Sequence, residues 1–412
     1  MVDERRRNLK VMLSEAKDTS ELMVDLGYAS LYLGDSEMAA EVGELAEDLH
    51  DLIHEIRSVC VLAARSPRDA DAMASVLQVT DAMAAMGEAA SDIARIVSRS
   101  LGIPAALVAD LSAAEEVTHR FHVHENSALS HRSLAELELP TEVGMRVVAI
   151  RRGRSWVTEV EGDEVLRPDD VVIVQGAPAG VPELRELAGE PTAEPPRALD
   201  EWVITDLDRA VDVLVDMKNV SEVAVGLAYS ALVLRDIGLA AEVSHLEQRL
   251  DEMKERLELW VLRAAHEEID PSGLRGLLHL AGAAETIGDA AKQMVWMIEE
   301  GEELHPVLAL GLGDAEEISV RVPVADGCRA EGKSLRELQL ETETGFYLLA
   351  VRRGGRYLYR PRPGVVLLAG DELIATGPYE GHDLLAGLCG YEVVEDPATG
   401  VDELRRLASA RG

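Results

Sequence analysis

Lysine is nearly missing from this chain. Of 40 basic residues only six are Lys (Lys10, Lys17, Lys218, Lys254, Lys292 and Lys333), against 76 Asp and Glu. The net charge of −36 repels phosphate and anionic lipid, which argues against nucleic acid or a membrane surface as a partner. Acid excess with little Lys fits a halophilic, salt-rich cytoplasm; a GC-rich genome that favours Arg gives the same bias. Cysteine is scarce too. Cys60, Cys328 and Cys389 lie far apart and form no CxxC pair, against structural zinc and against a disulfide scaffold. No apolar run reaches the roughly 18 residues of a membrane-spanning helix. The start, Met1-Val2-Asp3-Glu4-Arg5-Arg6-Arg7, leads into an amphipathic stretch rather than an apolar signal core, so a soluble, cytoplasmic chain is expected. Catalytic signatures are missing as well: no GxGxxG in a strand–helix context, no P-loop, no GxSxG, no HExxH and no Cys–His nucleophile. Neither NAD binding nor enzymatic activity is expected.

What is there is a repeat. Asp18-Thr-Ser-Glu-Leu-Met-Val-Asp-Leu-Gly-Tyr28 returns as Asn219-Val-Ser-Glu-Val-Ala-Val-Gly-Leu-Ala-Tyr229, an offset of 201 residues. The same offset relates Ala39-Ala40-Glu41-Val42 to Ala240-Ala241-Glu242-Val243, Ser133–Leu139 to Ser334–Leu340, and Ala149–Gly153 to Ala350–Gly354. Between these stretches the reading slips to 197, pairing Glu88 with Glu285 and Asp92 with Asp289. Gly189-Glu-Pro-Thr-Ala-Glu-Pro-Pro-Arg197 reads as the linker between copies.

Each copy has two textures. Residues 3–110 and 203–310 are rich in Ala, Leu, Met and Glu at helical spacing and predict three main helices per copy in an antiparallel bundle. Thr19 or Ser20, and Asn219 and Ser221 in register, are candidate helix caps; turns are expected at Gly34-Asp35-Ser36 and Ser66-Pro67. Residues 115–188 and 316–390 carry short β-branched runs such as Met145–Ile150, Val171–Val174 and Tyr347–Val351, with short helices at Leu134–Leu137 and Val181–Leu187.

The second texture resembles the C-terminal ligand domain of TrkA-type potassium-uptake regulators, called RCK-C. Copy two gives Gly332-Lys333-Ser334-Leu335-Arg336-Glu337-Leu338, Ala350-Val-Arg-Arg-Gly354 and Gly370-Asp371-Glu-Leu-Ile-Ala-Thr-Gly377. Copy one gives Ser133-Leu134-Ala135-Glu136-Leu137, Ala149-Ile-Arg-Arg-Gly153 and Asp169-Asp170-Val-Val-Ile-Val-Gln-Gly176, with Ser130-His131 in place of Gly-Lys and Asp169 in place of Gly. The helical texture resembles PhoU domains, through Ala284-Glu285-Thr286-Ile287-Gly288-Asp289-Ala290 and the stretch from Asp236 to Asp251. The fold expected is multidomain, α and α+β: two PhoU-like antiparallel helical bundles alternating with two small α/β RCK-C domains. The boundaries read as 1–112 PhoU-like, 113–190 RCK-C, 191–200 linker, 201–312 PhoU-like, 313–392 RCK-C and 393–412 a C-terminal tail helix.

The resemblance implies a cytoplasmic regulator of a membrane cation channel or transporter, potassium above all. It also implies pairing of the RCK-C domains, within the chain or in a homodimer. In relatives a small ligand, in some cases cyclic di-AMP, sits where two RCK-C domains meet. Carried over, this points to Leu139, Pro140, Thr141, Gly144 and Arg146, and to Leu340, Thr342, Gly345, Phe346 and Tyr347. Arg146 would meet a phosphate, and Phe346 or Tyr347 would stack on a base, although Glu341 and Glu343 line the copy-two turn. In PhoU relatives acidic Glu-x-x-x-Asp pairs hold metal. Glu285/Asp289 and Glu247/Asp251 have that spacing, and Glu88 and Asp92 are the copy-one candidates for a divalent or ferric ion. Solvated acidic faces would look the same. His119, His122 and His124 read as a half-exposed polar face, and Arg151-Arg152 and Arg352-Arg353 as structural. Two rival readings stand beside the regulator: a metal-binding PhoU-type regulator of phosphate transport, and a structural adaptor without ligand.

Overall fold

The structure is a computed structural model. It describes residues 8–102, 117–137, 139, 143–153, 155–157, 160, 162–176, 180–189, 205–265, 271–302, 304–313, 315, 317–395 and 402–407. The expected linker at 191–200 lies outside them.

Copy one opens with α1 (Leu9–Leu33), α2 (Ser36–Ala63) and α3 (Pro67–Ser98). The chain supplies a stop and a start at each joint. Gly34 takes a left-handed φ of 59° that ends α1. Asp35 accepts the Glu37 and Met38 N–H groups and starts α2. Ser66 accepts from Asp69 N–H ahead of Pro67 and starts α3. The expected cap at Thr19 or Ser20 is wrong. α1 starts at Asn8, which accepts from Val11 N–H, and Ser20 sits mid-helix with its hydroxyl donating to the Lys17 carbonyl. Met12, Leu13 and Ala16 are fully buried, so the upstream stretch belongs to the helix that packs.

A four-stranded antiparallel sheet follows, built from β1 (Val117–His122), β2 (Met145–Arg152), β3 (Ser155–Val157) and β4 (Val171–Gly176) in the order β1-β4-β2-β3. Short helices α4 (Leu134–Leu137) and α5 (Val181–Ala188) accompany it.

Copy two repeats the plan. α6 (Asp206–Leu234) starts in a Thr205/Asp208 capping box, so Asn219 and Ser221 lie inside it rather than at its start. α7 (Ile237–Ala264) and α8 (Pro271–Glu299) complete the bundle, and α9 (Pro306–Leu312) crosses to pack on α1 of copy one. The second sheet holds β5 (Glu317–Pro323), β6 (Tyr347–Arg353), β7 (Arg356–Tyr359) and β8 (Glu372–Pro378) in the order β5-β8-β6-β7, with α10 (Leu335–Leu338), α11 (Leu340–Thr344) and α12 (His382–Leu388). Both sheets bulge at one place, between Val147 and Ala149 and between Leu348 and Ala350.

The tail differs from expectation. β9 (Tyr391–Glu395) pairs antiparallel with β10 (Asp402–Arg406), so the described part of the tail is a β-ribbon and not a helix. Tyr391 and Leu404 pack on the second sheet's own core, which overrides the helical look of Asp402-Glu-Leu-Arg-Arg406.

The largest apolar core runs unbroken through both bundles and takes in Ala149, Val171 and Ile173 of the first sheet and Leu349, Ala350 and Ile374 of the second. The opposite sheet faces close separate cores around Phe121 and Phe346. His131 and Asp169 hold φ of 62° and 69°, where copy two has Gly332 and Gly370 at 76° and 86°. The N–H groups of His131 and Gly332 donate to the Leu166 and Leu367 carbonyls, so His131 is the counterpart of Gly332 and Arg132 that of Lys333. Copy one keeps this turn with side chains that tolerate a left-handed backbone less well than glycine.

Candidate functional site

The two copies meet across a pseudo-twofold, and each places a lysine against the other's tyrosine. Lys17 Nζ of α1 lies 5.2 Å from the Tyr229 ring centroid, and Lys218 Nζ of α6 lies 5.4 Å from that of Tyr28. The Ser20 and Tyr229 hydroxyls are 3.4 Å apart. Both lysines are buried, and each is paired with a carboxylate one turn on: Lys17 with Glu21 at 2.7 Å and Lys218 with Glu222 at 2.5 Å. Burial alone would pull Lys17 down, but Glu21 and Asp18 outweigh it and hold the ammonium above its usual range. Burial would push Glu222 up, but Lys218 and Arg360 outweigh it and hold the carboxyl low.

Beside this contact lies a cavity of about 160 Å³. It brings together Gly144 and Arg146 of one sheet with Gly345 and Tyr347 of the other. The Arg360 guanidinium stands 5.6 Å from the Tyr347 ring centroid and binds Glu222 at 2.7 Å. Three expectations fail here. Leu139 and Leu340 are 2% and 4% exposed and belong to the sheet cores, so neither reaches the cavity. Phe346 is fully buried beneath the second sheet and cannot stack on a base. Arg146 faces carboxylates instead of offering a bare cation to phosphate: its Nη atoms reach Glu317 at 2.6 Å, Asp25 at 3.0 Å and the Gln175 amide oxygen at 2.9 Å. Pro140, Thr141 and the Thr342 side chain lie outside the described residues. Lys17, Glu222, Tyr229, Glu317 and Arg360 also line the cavity and were missed. One signal pointed to them: Lys17 and Lys218, two of the six lysines, stand 201 residues apart.

The acidic pairs are placed differently. Glu247 and Asp251 of α7 and Asp289 of α8 bring carboxylate oxygens within 4.8 Å of one another. Burial, and then the charges of Glu285, Glu247 and Asp251, push the Asp289 carboxyl up. Lysines temper the cluster: Lys292 binds Glu247 at 2.7 Å, and Lys254 binds Glu285 at 2.9 Å. Copy one has no such cluster among the described residues. A Cβ at Gly87 would collide with Leu49 and one at Gly288 with Leu250, so these glycines are counterparts and the offset at this point is 201, not 197. Glu88 therefore matches Asp289, and Asp92 matches Gln293. The partners Glu247, Asp251 and Glu285 fall on Ala46, His50 and Ala84. Glu88 is exposed, and Asp92 pairs with Arg95.

The arginines before the sheet turns are structural. Arg152 grips the buried Asp170 at 2.8 Å, and Arg353 grips the buried Asp371 at 2.7 Å. Arg120–Asp35 and Arg321–Asp236 tie each sheet to the cap of its second helix. His122 and His124 are exposed, and burial followed by Arg185 lowers His119. Among the described residues no helix is long and apolar enough to cross a membrane.

Comparison with known proteins agrees with this layout. The TrkA-C domain family matches residues 118–189 and 320–386, and the PhoU domain family matches 13–97 and 214–296. A crystal structure of PhoU from Pseudomonas aeruginosa matches over 71% of this chain and 96% of its own, at 15% identity and a TM-score of 0.39. The RCK domain of GsuK matches at 15% identity over 65% of this chain and 62% of its own, with a TM-score of 0.17. The GsuK channel bound to NAD matches at 13% identity over 77% and 65%, with a TM-score of 0.18. Scores this low say nothing about how the domains are arranged or used. No curated protein matches the chain. The two domain families, whose members are regulatory and non-catalytic, alternate along the chain as the two textures do, and the chain is a tandem PhoU/TrkA-C protein.

Proposed function

We propose that this protein is a non-catalytic regulator of a membrane cation transporter, potassium in the first place, and that it senses a small ligand where its four domains meet. One observation carries the reading. Gly144 and Arg146 of one TrkA-C domain and Gly345 and Tyr347 of the other line a single cavity with α1 and α6. An occupant there touches both copies at once and so biases how they fit together. The cavity's 160 Å³ falls below the ~300–1,000 Å³ of typical nucleotide-sized or drug-sized sites. Its cations also face carboxylates already, which favours an inorganic ion or a compact solute over cyclic di-AMP. Thermal-shift titration with KCl, NaCl, cyclic di-AMP and ATP tests this, with Tyr347→Ala as the variant. The expected result is a stabilising response to one of them that the variant loses. Silence from the whole panel, with a stable transporter complex in pull-down, would leave the adaptor reading.

The Glu247, Asp251 and Asp289 oxygens favour a second reading, a divalent or ferric ion held in copy two. Elemental analysis of the purified protein beside Glu247→Gln and Asp289→Asn decides it. Equal metal in all three samples removes the reading.

A further inference from the structure

A larger cavity opens beside the first, in copy one. It measures about 780 Å³ and lies between α1, α2 and β2. Its floor is apolar, formed by Leu45, Leu52, Val147 and Val148. Its walls are two rows of carboxylates. Glu15, Asp18, Glu21 and Asp25 come from α1, and Asp48, Asp51 and Glu55 from α2, spaced three or four apart so that each row lies along one helix face. Glu317 of copy two closes the inner end. At helical rise the α1 row spans about 15 Å and the α2 row about 10 Å.

Two further facts say what such a cleft takes. First, the protein's own cations already lie along the α1 row: Arg146 reaches in from β2 to Asp25 at 3.0 Å and to Glu317 at 2.6 Å, Lys17 binds Glu21 at 2.7 Å, and Lys10 lines the outer part of the cleft. Second, charge and open volume are lost together in copy two. Asp18, Asp25, Asp48 and Glu55 become Asn219, Gly226, Arg249 and Arg256. Gly226 leaves room for Leu349, whose Cδ2 lies 2.7 Å from where a Cβ would stand, and Leu349 enters the main core. Its counterpart Val148 is shorter and lines the cleft instead.

We propose that this cleft binds a linear polyamine. Its ammonium groups lie between the two carboxylate rows and its methylenes on the apolar floor. Its inner ammonium competes with Arg146 for Asp25 and Glu317. Because the Arg146–Glu317 pair joins copy one to copy two, occupancy of the cleft loosens a contact between the copies.

Calorimetric titration of the full chain with spermine tests this, with MgCl2 and tetralysine as comparison ligands. Two opposing variants are informative. Asp48→Arg with Glu55→Arg installs on exposed positions the residues that copy two carries there. Arg146→Gln removes the internal competitor. One spermine per chain is expected, with binding about ten-fold or more weaker in the double variant and about three-fold or more tighter in Arg146→Gln. Arg249→Asp with Arg256→Glu should create no second site, because Leu349 fills that place. Two or more spermines per chain, unchanged affinity in the double variant, or an equal heat from MgCl2 at matched ionic strength would overturn the proposal. Binding of tetralysine without spermine would overturn it in favour of a basic protein segment.

Discussion

The two copies share a backbone plan and differ in how tightly each sheet sits on its bundle. In copy two Leu349 enters the helical core over Gly226, Tyr359 donates a hydrogen bond to Glu242, and Arg360 binds Glu222 and Asn219. In copy one Asp25 and Val148 stand at the first two positions, and the sheet leaves a cleft above α1 and α2. The ties at the far side are alike, Arg120 to Asp35 and Arg321 to Asp236. Duplication has therefore kept the frame of each domain and freed the face between them. A closed copy beside an open one makes the contact between the copies asymmetric.

The sharpest way to break the contrast is to give copy two the residue that opens copy one. Gly226→Asp drives a Cβ into Leu349 and places a carboxylate against the main core. Overpacking and desolvation act together, and the cost should reach about 3 kcal/mol or more. A urea denaturation midpoint reads it. A cost below about 1 kcal/mol would mean that Leu349 is not what closes the copy-two face. The reverse change, Asp25→Gly, should cost far less, because no side chain waits to fill the space.

A change of middle size tests what the copies have in common. Asp170 and Asp371 are each 1% exposed and each gripped by an arginine from the neighbouring strand. Each also accepts one backbone N–H, from Arg167 and Leu368 respectively. Arg152→Gln and Arg353→Gln should each cost about 2–3 kcal/mol, because a buried carboxylate loses its counter-charge but keeps that N–H. The two midpoints should fall together. If they diverge by more than about 1 kcal/mol, the sheets are not the equivalent frames they resemble.

Much of this was legible in the sequence, and the failures have physical reasons. Local rules carried the repeat, the helix joints at Gly34-Asp35 and Ser66-Pro67, and the short strands. Helix starts were misplaced because Asn8 and Thr205 lie upstream of the part in which the copies are most alike. The register slip at Glu88 came from matching acids to acids. Packing instead fixes the register through Gly87 under Leu49 and Gly288 under Leu250. Phe346 read as a base-stacking residue because a sequence does not show which face of a turn is covered. The central site is built from Lys17, Tyr229, Glu317 and Arg360, residues hundreds of positions apart, and only the fold assembles it. The tail ribbon was hidden because Asp402–Arg406 is helical by propensity and becomes a strand through Tyr391 and Leu404 packing.

The smallest expected effect bears on the acidic cluster that only copy two has. Burial and three neighbouring carboxylates hold the Asp289 carboxyl above its unfolded range. A carboxyl raised on folding helps stability while it is protonated, below the unfolded pKa of about 3.9, and loses that help as pH rises through the folded value. At neutral pH, without metal, the ionised Asp289 is therefore a cost that Lys292 offsets only in part. Asp289→Asn should raise the melting temperature on the order of 1 °C at pH 7, because the site is largely open to solvent. The gain should fade as the pH drops towards 4. Glu88→Gln, at the copy-one counterpart, should change nothing, since Ala46, His50 and Ala84 surround it in register. Added Mn2+ provides the decisive arm. If an ion is held between Glu247, Asp251 and Asp289, the wild type gains stability from it, the Asn variant does not, and the order of the two melting temperatures reverses.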